Sequence, residues 1–536
     1  MPRAWWLLAV PAIVVATWPR LASVRVYDPD EFEHLHAAWC VAHDQVPYRD
    51  FFEHHGPLTY YLLAPVVRWA GDSPGLLTAH RALSLAWVAV AAAGMFAWSR
   101  RRPRVGFAVA AAWLFTFPWF LEKGVEGRPD VPAMALLTWA AVFLRWGSNS
   151  SKWWWVGAGA ALGTASLFTQ KVAFVAAGTT IGCAIFPREK GRGRGRLLVL
   201  LTAGFALPWF AAMTWFQFQD ALGPLLSRTL ATPATWPPHV RNADESVIHR
   251  LSNAVSWAPG HLAALAAAAA IGLMRLCRGA SRRRGEGILW CGLVAHLAGA
   301  PFVPAYLQYY LLVAPIAALL IGEETVVILR RYPALLVGCA VVAFGLAAVP
   351  RLREFTVGIQ SLVPTTSAPS INPYAVVDLA TMVVIAVAVF GFAVALFRRT
   401  RRETKWATFI IAAALMGPGV GRYVIYHCYW QGAERQRQDL AAFGEVSPGP
   451  VLDGFSGLGC LRPHVGYWWW INHHSMPLIR KEGRMPEVLE AVRARTPAVI
   501  VYDEDLRRVP GLEPLLLQSY DPTPFRGRVL FVRRAD

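Results

Sequence analysis

The chain has 536 residues, of which 55% are hydrophobic and only 16% are charged, and its mean hydropathy is +0.36. Many separate apolar runs are long enough to cross a bilayer, so the composition excludes a soluble class and predicts a polytopic α-helical membrane protein. The net charge of +18 does not indicate nucleic-acid binding, because the basic residues fall in short clusters between the apolar runs. The seven cysteines show no CxxC pairing, which supports neither a zinc ribbon nor a disulfide framework.

The apolar runs predict about thirteen transmembrane helices. The first has a signal-like start but no clear small-x-small cleavage site, so we expect it to be retained. The first three spans are expected at 4–22, 74–98 and 105–120, and a fourth begins near residue 131. Two short spans within 153–186 meet at a turn around Gln170 and Lys171, and a seventh span ends near residue 218. The remaining six are expected at 261–275, 287–302, 306–321, 334–349, 376–397 and 406–425. All large basic clusters then fall on one side, which the positive-inside rule assigns to the cytoplasm.

This orientation places three polar segments in the periplasm. They are the first loop (23–72), the long segment 219–261, whose length suggests a lid, and the tail. The tail has no spanning run: PVLDGFSG, PAVIVYD and RVLFVRR predict strands, and PEVLEAVRAR predicts an amphipathic helix. We therefore expect a transmembrane module over 1–425 and a small periplasmic α/β domain over 426–536. The aromatic stripe 467–470, with His473 and His474, suggests either glycan stacking or an interface belt.

The first loop is the most unusual stretch of the sequence. Between Asp28 and His55 it holds seven carboxylates, five histidines and one arginine, in a chain that is otherwise basic. Residues 31–43 and 56–70 are expected to form two helices at the membrane interface, with Tyr60, Tyr61 and Trp69 at headgroup level. A short second loop, LEKGVEGRPD, is expected to lie opposite.

A site at this position would join the bilayer to water. Outside the cytoplasm there are no nucleotide sugars, so group transfer there generally uses a donor anchored in the membrane, such as a polyprenyl phosphate. A carboxylate can then act as a general base toward an acceptor hydroxyl, and we expect Asp30 to do so. Arg128 and Lys171 are the candidate ligands of the departing phosphate, and a buried Lys171 needs an anionic partner. Glu126, Asp130 and Gln170 lie beside these cations and are the candidate substrate contacts.

Four stretches carry a resemblance to a known family: PDEFEHLHAAW, PYRDFFEHHGPLTYYLLAP, the RPD of the second loop, and PAYLQYYLLVAPI. They are similar to the GT-C superfamily of membrane glycosyltransferases, above all to its protein mannosyltransferase and aminoarabinose transferase branches. The resemblance implies a GT-C fold, two juxtamembrane helices and a polyprenyl-phosphate sugar donor. It covers the first half of the chain well and the tail only loosely.

The resemblance also assigns residues. The Asp-Glu pair of the family falls on Asp30 and Glu31, with the Asp as base. A Glu-Lys pair of the aminoarabinose transferases, which binds a metal and a phosphate, falls on Glu53 and His54, so a histidine stands where that family has lysine. The second-loop arginine and acid fall on Arg128 and Asp130.

Other interpretations of these residues remain open. Asp30 and Glu31 could cap the helix that follows Pro29, and Arg128 could pair with Asp130 or Glu126. A divalent metal (Zn, Mn or Mg) could bind Glu53, His54 or His55, with His239 or His249 as a further ligand; we select Glu53, His55 and His239.

The sequence therefore predicts a glycosyltransferase of a bacterial inner membrane, transferring a hexosyl or pentosyl unit from a polyprenyl-phosphate donor. The acceptor is expected to be lipid A, another glycolipid, a cell-wall glycan or a protein. The alternatives are a transporter or flippase of lipid-linked saccharides, whose acids would line a pathway, and a non-catalytic membrane scaffold.

Overall fold

A computed structural model describes residues 8–100, 104–149, 151–186, 194–232, 259–279, 284–299, 308–332, 335, 338–339, 432–473 and 475–534. The predicted spans at 376–397 and 406–425, almost all of 334–349, and most of the segment 219–261 lie outside these residues. The number of thirteen spans and the lid therefore stay predictions.

The first two-thirds of the described chain is helical. The helices are α1 (Ala9–Val24), α2 (Pro29–Ala42), α3 (Leu58–Ala70), α4 (Leu76–Ser99), α5 (Arg104–Leu114), α6 (Pro118–Lys123), α7 (Asp130–Asn149), α8 (Trp153–Ser166), α9 (Val172–Ile185), α10 (Arg194–Phe218), α11 (Leu222–Leu226), α12 (Pro259–Gly279), α13 (Arg284–Gly299), α14 (Gln308–Leu311) and α15 (Ala314–Arg331). A π-helical turn, Ser227–Ala231, continues α11. The two helices predicted in the first loop, now α2 and α3, and the helical hairpin within 153–186 lie where the sequence predicts them. The interfacial position of α2 and α3 stays a prediction, but the headgroup position of Tyr60 is wrong, because its side chain is fully buried in a hydrophobic cluster.

Two predicted spans are wrong in their continuity. The span at 105–120 ends at Leu114, and α6 begins a new helix at Pro118. The span at 306–321 is divided between α14 and α15, which has Pro315 in its first turn. At the first break Pro118 begins α6 and the residue before it, Phe117, is extended, as proline favours. At the second break Pro315 has no backbone N–H with which to continue the hydrogen bonds of α14.

Two of the described helices, Leu76–Ser99 and Gly195–Phe218, are long and apolar enough to cross a membrane. On α10 a row of large apolar side chains is 50–79% exposed, which suits contact with lipid: Val199, Leu207, Phe210, Trp215 and Phe218. The other face of α10 packs tightly on α8. There Gly159 and Gly163 let the two backbones touch, since a Cβ on either would lie within 2.3 Å of a carbonyl oxygen of α10.

The tail forms a four-stranded sheet with helices. After α16 (Ala433–Gly444) come β1 (Val451–Asp453), α17 (Met476–Lys481), α18 (Met485–Arg493), β2 (Val499–Val501), α19 (Leu512–Ser519), β3 (Tyr520–Phe525) and β4 (Arg528–Arg533). The strand order is β1-β2-β4-β3, with β1 parallel to β2 and the other pairs antiparallel. Three of the strands and α18 lie where predicted. The sequence missed β3, whose two prolines are tolerated because it is an edge strand.

The aromatic stripe of the tail has neither of its predicted roles. Trp468, Trp469 and Trp470 are only 3–4% exposed and belong to the core of the tail. Phe52 of the first loop is part of the same core: its ring stacks on Trp468 with centroids 3.7 Å apart. The stripe therefore joins the tail to the first loop. His473 hydrogen-bonds Asp505, and His474 lies outside the described residues.

Candidate active site

The first turn of α2 presents the acids of the first loop. Asp28 is the N-cap, accepting from the Asp30 backbone N–H at 3.1 Å, while Glu31 accepts from the Asp28 backbone N–H at 2.9 Å. Pro29 is the first helical residue. Capping therefore falls on Asp28 and Glu31 rather than on Asp30, whose side chain is 34% exposed.

Glu31 is buried in a bidentate ion pair. Arg81 of α4 donates from Nε to Oε1 at 2.7 Å and from Nη2 to Oε2 at 2.6 Å, and the Gly127 N–H donates to Oε1 at 2.8 Å. Arg81 also donates to the backbone carbonyls of Ala22, Arg25 and Val26. Burial acts to raise the pKa of Glu31, but Arg81 outweighs it and lowers the pKa. Glu31 thus ties α2 to α1, α4 and the second loop.

Arg128 of the second loop holds the candidate base. Its Nη1 donates to Asp30 Oδ2 at 2.5 Å, its Nη2 lies 2.7 Å from Asp28 Oδ1, and its Nε donates to Glu126. Burial acts to raise the pKa of Asp30, but the positive charge of Arg128 outweighs it, so the pKa lies below its ordinary value. Asp30 is therefore an ionised carboxylate at neutral pH.

Two further cations complete this network, and the sequence analysis did not single them out. Lys123 Nζ lies 3.2 Å from Asp28 Oδ2 and 3.0 Å from Glu126 Oε1. Arg25 lies 2.8 Å from Glu126 and 3.2 Å from Glu122. Burial acts to raise the pKa of Glu126, but these cations, Lys123 first, lower it far below its ordinary value. Both residues lie in segments that the sequence predicts to be periplasmic, since Arg25 begins the first loop shortly after the first span and Lys123 belongs to LEKGVEGRPD.

Lys171 lies at the turn between α8 and α9. Its Nζ is 3.0 and 3.1 Å from the two carboxylate oxygens of Asp130, and 4.2 Å from the centroid of the Tyr309 ring. Asp130 is therefore the anionic partner expected for this lysine. Burial lowers the pKa of Lys171 although Asp130 opposes the shift, and Arg128 and Asp30 are near enough to contribute. Lys171 thus belongs to the same site as the Asp30–Arg128 pair.

The turn before α9 also docks on the first loop. Gln170 Nε2 donates to the His54 carbonyl at 3.2 Å, and the Leu58 N–H donates to the Leu167 carbonyl at 3.2 Å. Gly56 permits this approach, because a Cβ there would lie 2.1 Å from the Leu167 oxygen. The contact fixes the position of Lys171 relative to α2.

A second group of side chains gathers beside Asp30. Glu53 Oε1 lies 3.0 Å from His55 Nδ1, and Glu33 Oε1 lies 3.9 Å from His54 Nδ1 and 4.0 Å from His55 Nδ1. The ligand atoms of all four residues lie within 4.8 Å of one another. The sequence analysis did not select Glu33, although its i, i+3 spacing from Asp30 places both on one face of α2.

This group fits a divalent cation. Glu33 Oε1 and Glu53 Oε2 are buried and make no hydrogen bond within the part of the chain that the structure describes. Burial, together with the charges of Glu53 and Asp30, raises the pKa of Glu33 well above its ordinary value. Burial also acts to raise the pKa of Glu53, but its hydrogen bond to His55 outweighs this effect. Two carboxylates confined this closely without a cation between them are electrostatically unfavourable.

His54 does not reproduce the charge of the lysine that the family resemblance places there. Burial, with His55, lowers the pKa of His54 to about 3, so the ring is neutral at physiological pH. It remains beside the cationic part of the site, since its backbone carbonyl accepts from Gln170, the residue before Lys171. Arg128 and Lys171 therefore stay the candidate phosphate ligands.

The structure brings together all the predicted site residues that it describes. They are Asp30, Glu31, Glu53, His54, His55, Glu126, Arg128, Asp130, Gln170 and Lys171. His239, the remaining candidate metal ligand, and His249 lie outside the described residues. The charged residues that sequence reasoning missed include Arg25, Asp28, Glu33, Arg81 and Lys123.

Comparison with solved structures identifies the class of fold. ArnT from Cupriavidus metallidurans bound to undecaprenyl phosphate superposes with a TM-score of 0.59 at 16% identity, over 100% of this chain and 99% of that one. Its apo state gives 0.58 at 15% identity, over 99% and 98%. The oligosaccharyltransferase AglB from Archaeoglobus fulgidus, in complex with an inhibitory peptide and a dolichol-phosphate, gives 0.51 at 12% identity, over 99% and 74%. The GT-C fold predicted from the sequence is confirmed.

The sequence itself matches one protein family. The model of the dolichyl-phosphate-mannose-protein mannosyltransferase family matches residues 54–216, from the first loop to the end of α10. No curated protein sequence matches the chain. The resemblance to the GT-C superfamily is thus confirmed, by this family over part of the chain and by the fold over its whole length.

Proposed function

We propose that this chain is a membrane glycosyltransferase that moves one hexosyl or pentosyl unit from a polyprenyl-phosphate donor to an acceptor at the periplasmic face of a bacterial inner membrane. The proposal rests above all on Asp30, an ionised and partly exposed carboxylate held against Arg128, with Lys171 in the same site. The donor class is supported by two proteins of similar fold, one bound to undecaprenyl phosphate and one to a dolichol-phosphate.

In the proposed reaction Asp30 accepts the proton of an acceptor hydroxyl. The acceptor oxygen then bonds to the anomeric carbon while the bond from that carbon to the phosphate oxygen breaks, with inversion. The polyprenyl phosphate leaves with the electron pair, and Arg128 and Lys171 offset its charge. The acceptor class is a glycolipid, lipid A, a cell-wall glycan or a protein.

The remaining residues would orient these groups. Glu126 and Asp130 hold the side chains of Arg128 and Lys171. Gln170 is the proposed direct contact to substrate, because its Oε1 is buried and makes no hydrogen bond among the described residues. Glu31 is a positioning residue, since its carboxylate is occupied by Arg81 and backbone N–H groups.

A divalent cation, Zn²⁺, Mn²⁺ or Mg²⁺, would be held by Glu33, Glu53 and His55. When bound, it would supply positive charge beside the donor phosphate. The same residues would then keep the ion next to α2, one turn from Asp30. His239 as an additional ligand stays a prediction.

The location of these acids favours an enzyme over a transporter. Asp28, Asp30 and Glu33 lie at the start of α2, and Glu126 lies in the second loop, not in the middle of either of the two helices that are long enough to span a membrane. Acids that line a transport pathway would be expected within such helices.

Mass spectrometry of lipid and envelope extracts from a deletion strain tests the function. We expect the loss of one species that differs from a retained species by a single sugar residue. Wild-type protein should restore it and Asp30→Asn should not. Asp44→Asn is the matched control, because Asp44 is a 90% exposed carboxylate of the same loop. Extracts that do not change on deletion, or restoration by Asp30→Asn, would contradict the proposal.

The proposed orientation can be tested separately. Pro510→Cys, at an exposed position of the tail, should react with a membrane-impermeant maleimide from the periplasm only. Ala280→Cys, in the basic cluster at 278–284, should react from the cytoplasm only, with the wild-type chain as background. The opposite labelling pattern would reverse the topology.

A further inference from the structure

Three metal-ligating side chains meet where the tail packs on α2. His36 and Cys40 lie one turn apart on α2, and His464 comes from the segment that follows β1. His36 Nε2 is 2.9 Å from His464 Nδ1 and 3.4 Å from Cys40 Sγ, and Cys40 Sγ is 3.8 Å from His464 Nδ1. None of these residues takes part in the proposed transfer reaction.

The separations suit one tetrahedral ion. With metal–nitrogen bonds of about 2.0 Å and metal–sulfur bonds of about 2.3 Å, tetrahedral ligand atoms lie about 3.3–3.6 Å apart. The three observed separations bracket that range. Shifts of a few tenths of an ångström would therefore bring two nitrogens and one sulfur around an ion, and a fourth position would remain for water or another donor.

The surroundings prepare His36 as a ligand. Its Nδ1 lies 3.1 Å from the Cys460 carbonyl, which can only accept, so Nδ1 carries the proton and the Nε2 lone pair points toward Cys40 and His464. A metal-bound histidine usually donates its other N–H in this way. Trp469 packs against the ring, with centroids 4.3 Å apart, and limits its rotation.

Burial has opposite consequences for the two kinds of ligand, since it keeps the imidazoles neutral but disfavours the thiolate. Burial lowers the pKa of His36 well below its ordinary value and that of His464 to about 4, so both rings are neutral at pH 7. Burial raises the pKa of the Cys40 thiol, so an ion must displace its proton. His36 and Cys40 are fully buried, whereas His464 is half-buried.

We infer that His36, Cys40 and His464 form a binding site for a thiophilic metal ion of the Zn²⁺ class, which fastens the tail to the helix that carries Asp30. One thiolate with two imidazoles selects Zn²⁺ over Mg²⁺ or Ca²⁺, which prefer oxygen ligands. The ligand set is distinct from the Glu33–Glu53–His54–His55 group, which contains no sulfur. Binding joins residues more than 420 positions apart, so its expected consequence is a more stable contact between the tail and α2.

Cobalt substitution tests this site independently of activity. Co²⁺ bound to a thiolate gives a charge-transfer absorption that the oxygen- and nitrogen-containing group around Glu53 cannot produce. The purified full-length protein should show this band on titration with Co²⁺ and lose it on addition of Zn²⁺. Cys40→Ser should abolish the band. Cys460→Ser should keep it, because Cys460 is an equally buried cysteine whose thiol is not a ligand.

A second variant distinguishes loss of a metal ligand from misfolding. His464→Ala changes a half-buried loop residue, and it should weaken Co²⁺ binding by at least tenfold with an unchanged elution profile in gel filtration. Excess Zn²⁺ should raise the thermal midpoint of the wild type and of Cys460→Ser by the same amount and that of Cys40→Ser by less, because the group around Glu53 is intact in all three proteins. Absence of the thiolate band in the wild type, or its persistence in Cys40→Ser, would show that the three side chains form a hydrogen-bonded cluster only.

Discussion

Two adjacent regions of the site pair a carboxylate with an arginine in different ways. At the junction of α2 and α4, Glu31 and Arg81 are 1% and 0% exposed, and both carboxylate oxygens also accept from a backbone N–H. At the junction of α2 and the second loop, Asp30 is 34% exposed although Arg128 is buried. The two adjacent carboxylates therefore differ in their exposure to solvent. The buried one, Glu31, is a structural acid, and the partly exposed one, Asp30, is the candidate base.

Replacing Asp30 should have the largest effect on the transfer rate. Asp30→Asn keeps the shape and removes the proton acceptor, so the transfer rate of the purified enzyme should fall roughly 10²–10⁴-fold. The thermal midpoint should change little, because the side chain is partly exposed. The rate is measured with a polyprenyl-phosphate sugar donor, and near-normal turnover would remove Asp30 from the mechanism.

Replacing Arg81 should have the opposite profile. Arg81→Met leaves Glu31 buried without its partner, and breaking such a pair costs about 3–5 kcal/mol of folding stability. Thermal unfolding in detergent measures the loss. Arg68→Met is the matched control, because Arg68 and Asp44 form an exposed pair worth at most about 1 kcal/mol. Equal destabilisation by both variants would contradict the structural role of Glu31.

Donor binding tests whether Lys171 acts together with Arg128. Lys171→Met should weaken donor affinity by about 2–5 kcal/mol and leave acceptor affinity nearly unchanged. The double variant with Arg128→Met should lose less than the sum if both cations contact one phosphate, as proposed. Lys152→Met, at the exposed start of α8, is the control. In a complex with a polyprenyl-phosphate analogue, either side chain lying more than about 6 Å from the phosphate would exclude direct contact.

The smallest expected effect is a shift in pH dependence. Burial lowers the pKa of Lys171, so its charge, and with it donor binding, should be lost at a lower alkaline pH than for an ordinary lysine. Lys171→Arg keeps the positive charge at all accessible pH, so the alkaline pH at which donor binding is lost should rise. Asp30 has a lowered pKa, so activity should persist well into the acidic range. If donor binding by Lys171→Arg is lost at the same alkaline pH as in the wild type, the titrating group is not Lys171.

Local patterns were sufficient for much of the architecture. The hydrophobic run 153–186, interrupted by the polar residues Gln170 and Lys171, predicts the turn that carries Lys171, and short apolar runs predict three strands of the tail. The clustering of acids and histidines locates the first loop. Such signals depend only on neighbours in sequence.

Long-range pairing could not be predicted in the same way. The partner of Glu31 is Arg81, 50 residues away near the start of an apolar helix. No feature of the sequence around Arg81 indicates that it pairs with Glu31. The partners of His36 and Phe52 lie in the tail, more than 400 residues away. Burial of the tryptophan stripe depends on these contacts, and composition alone favours an interface belt for such residues.

The stack of Phe52 on Trp468 also has a consequence for the order in which the protein matures. Phe52 leaves the ribosome more than 400 residues before Trp468 does. Until the tail is synthesised, the first loop has no partner for Phe52 or for the face of α2 that contacts Cys460 and Leu461. Membrane insertion of the early helices can therefore precede completion of the site, and a chain that stops before the tail would expose an apolar surface beside its candidate base.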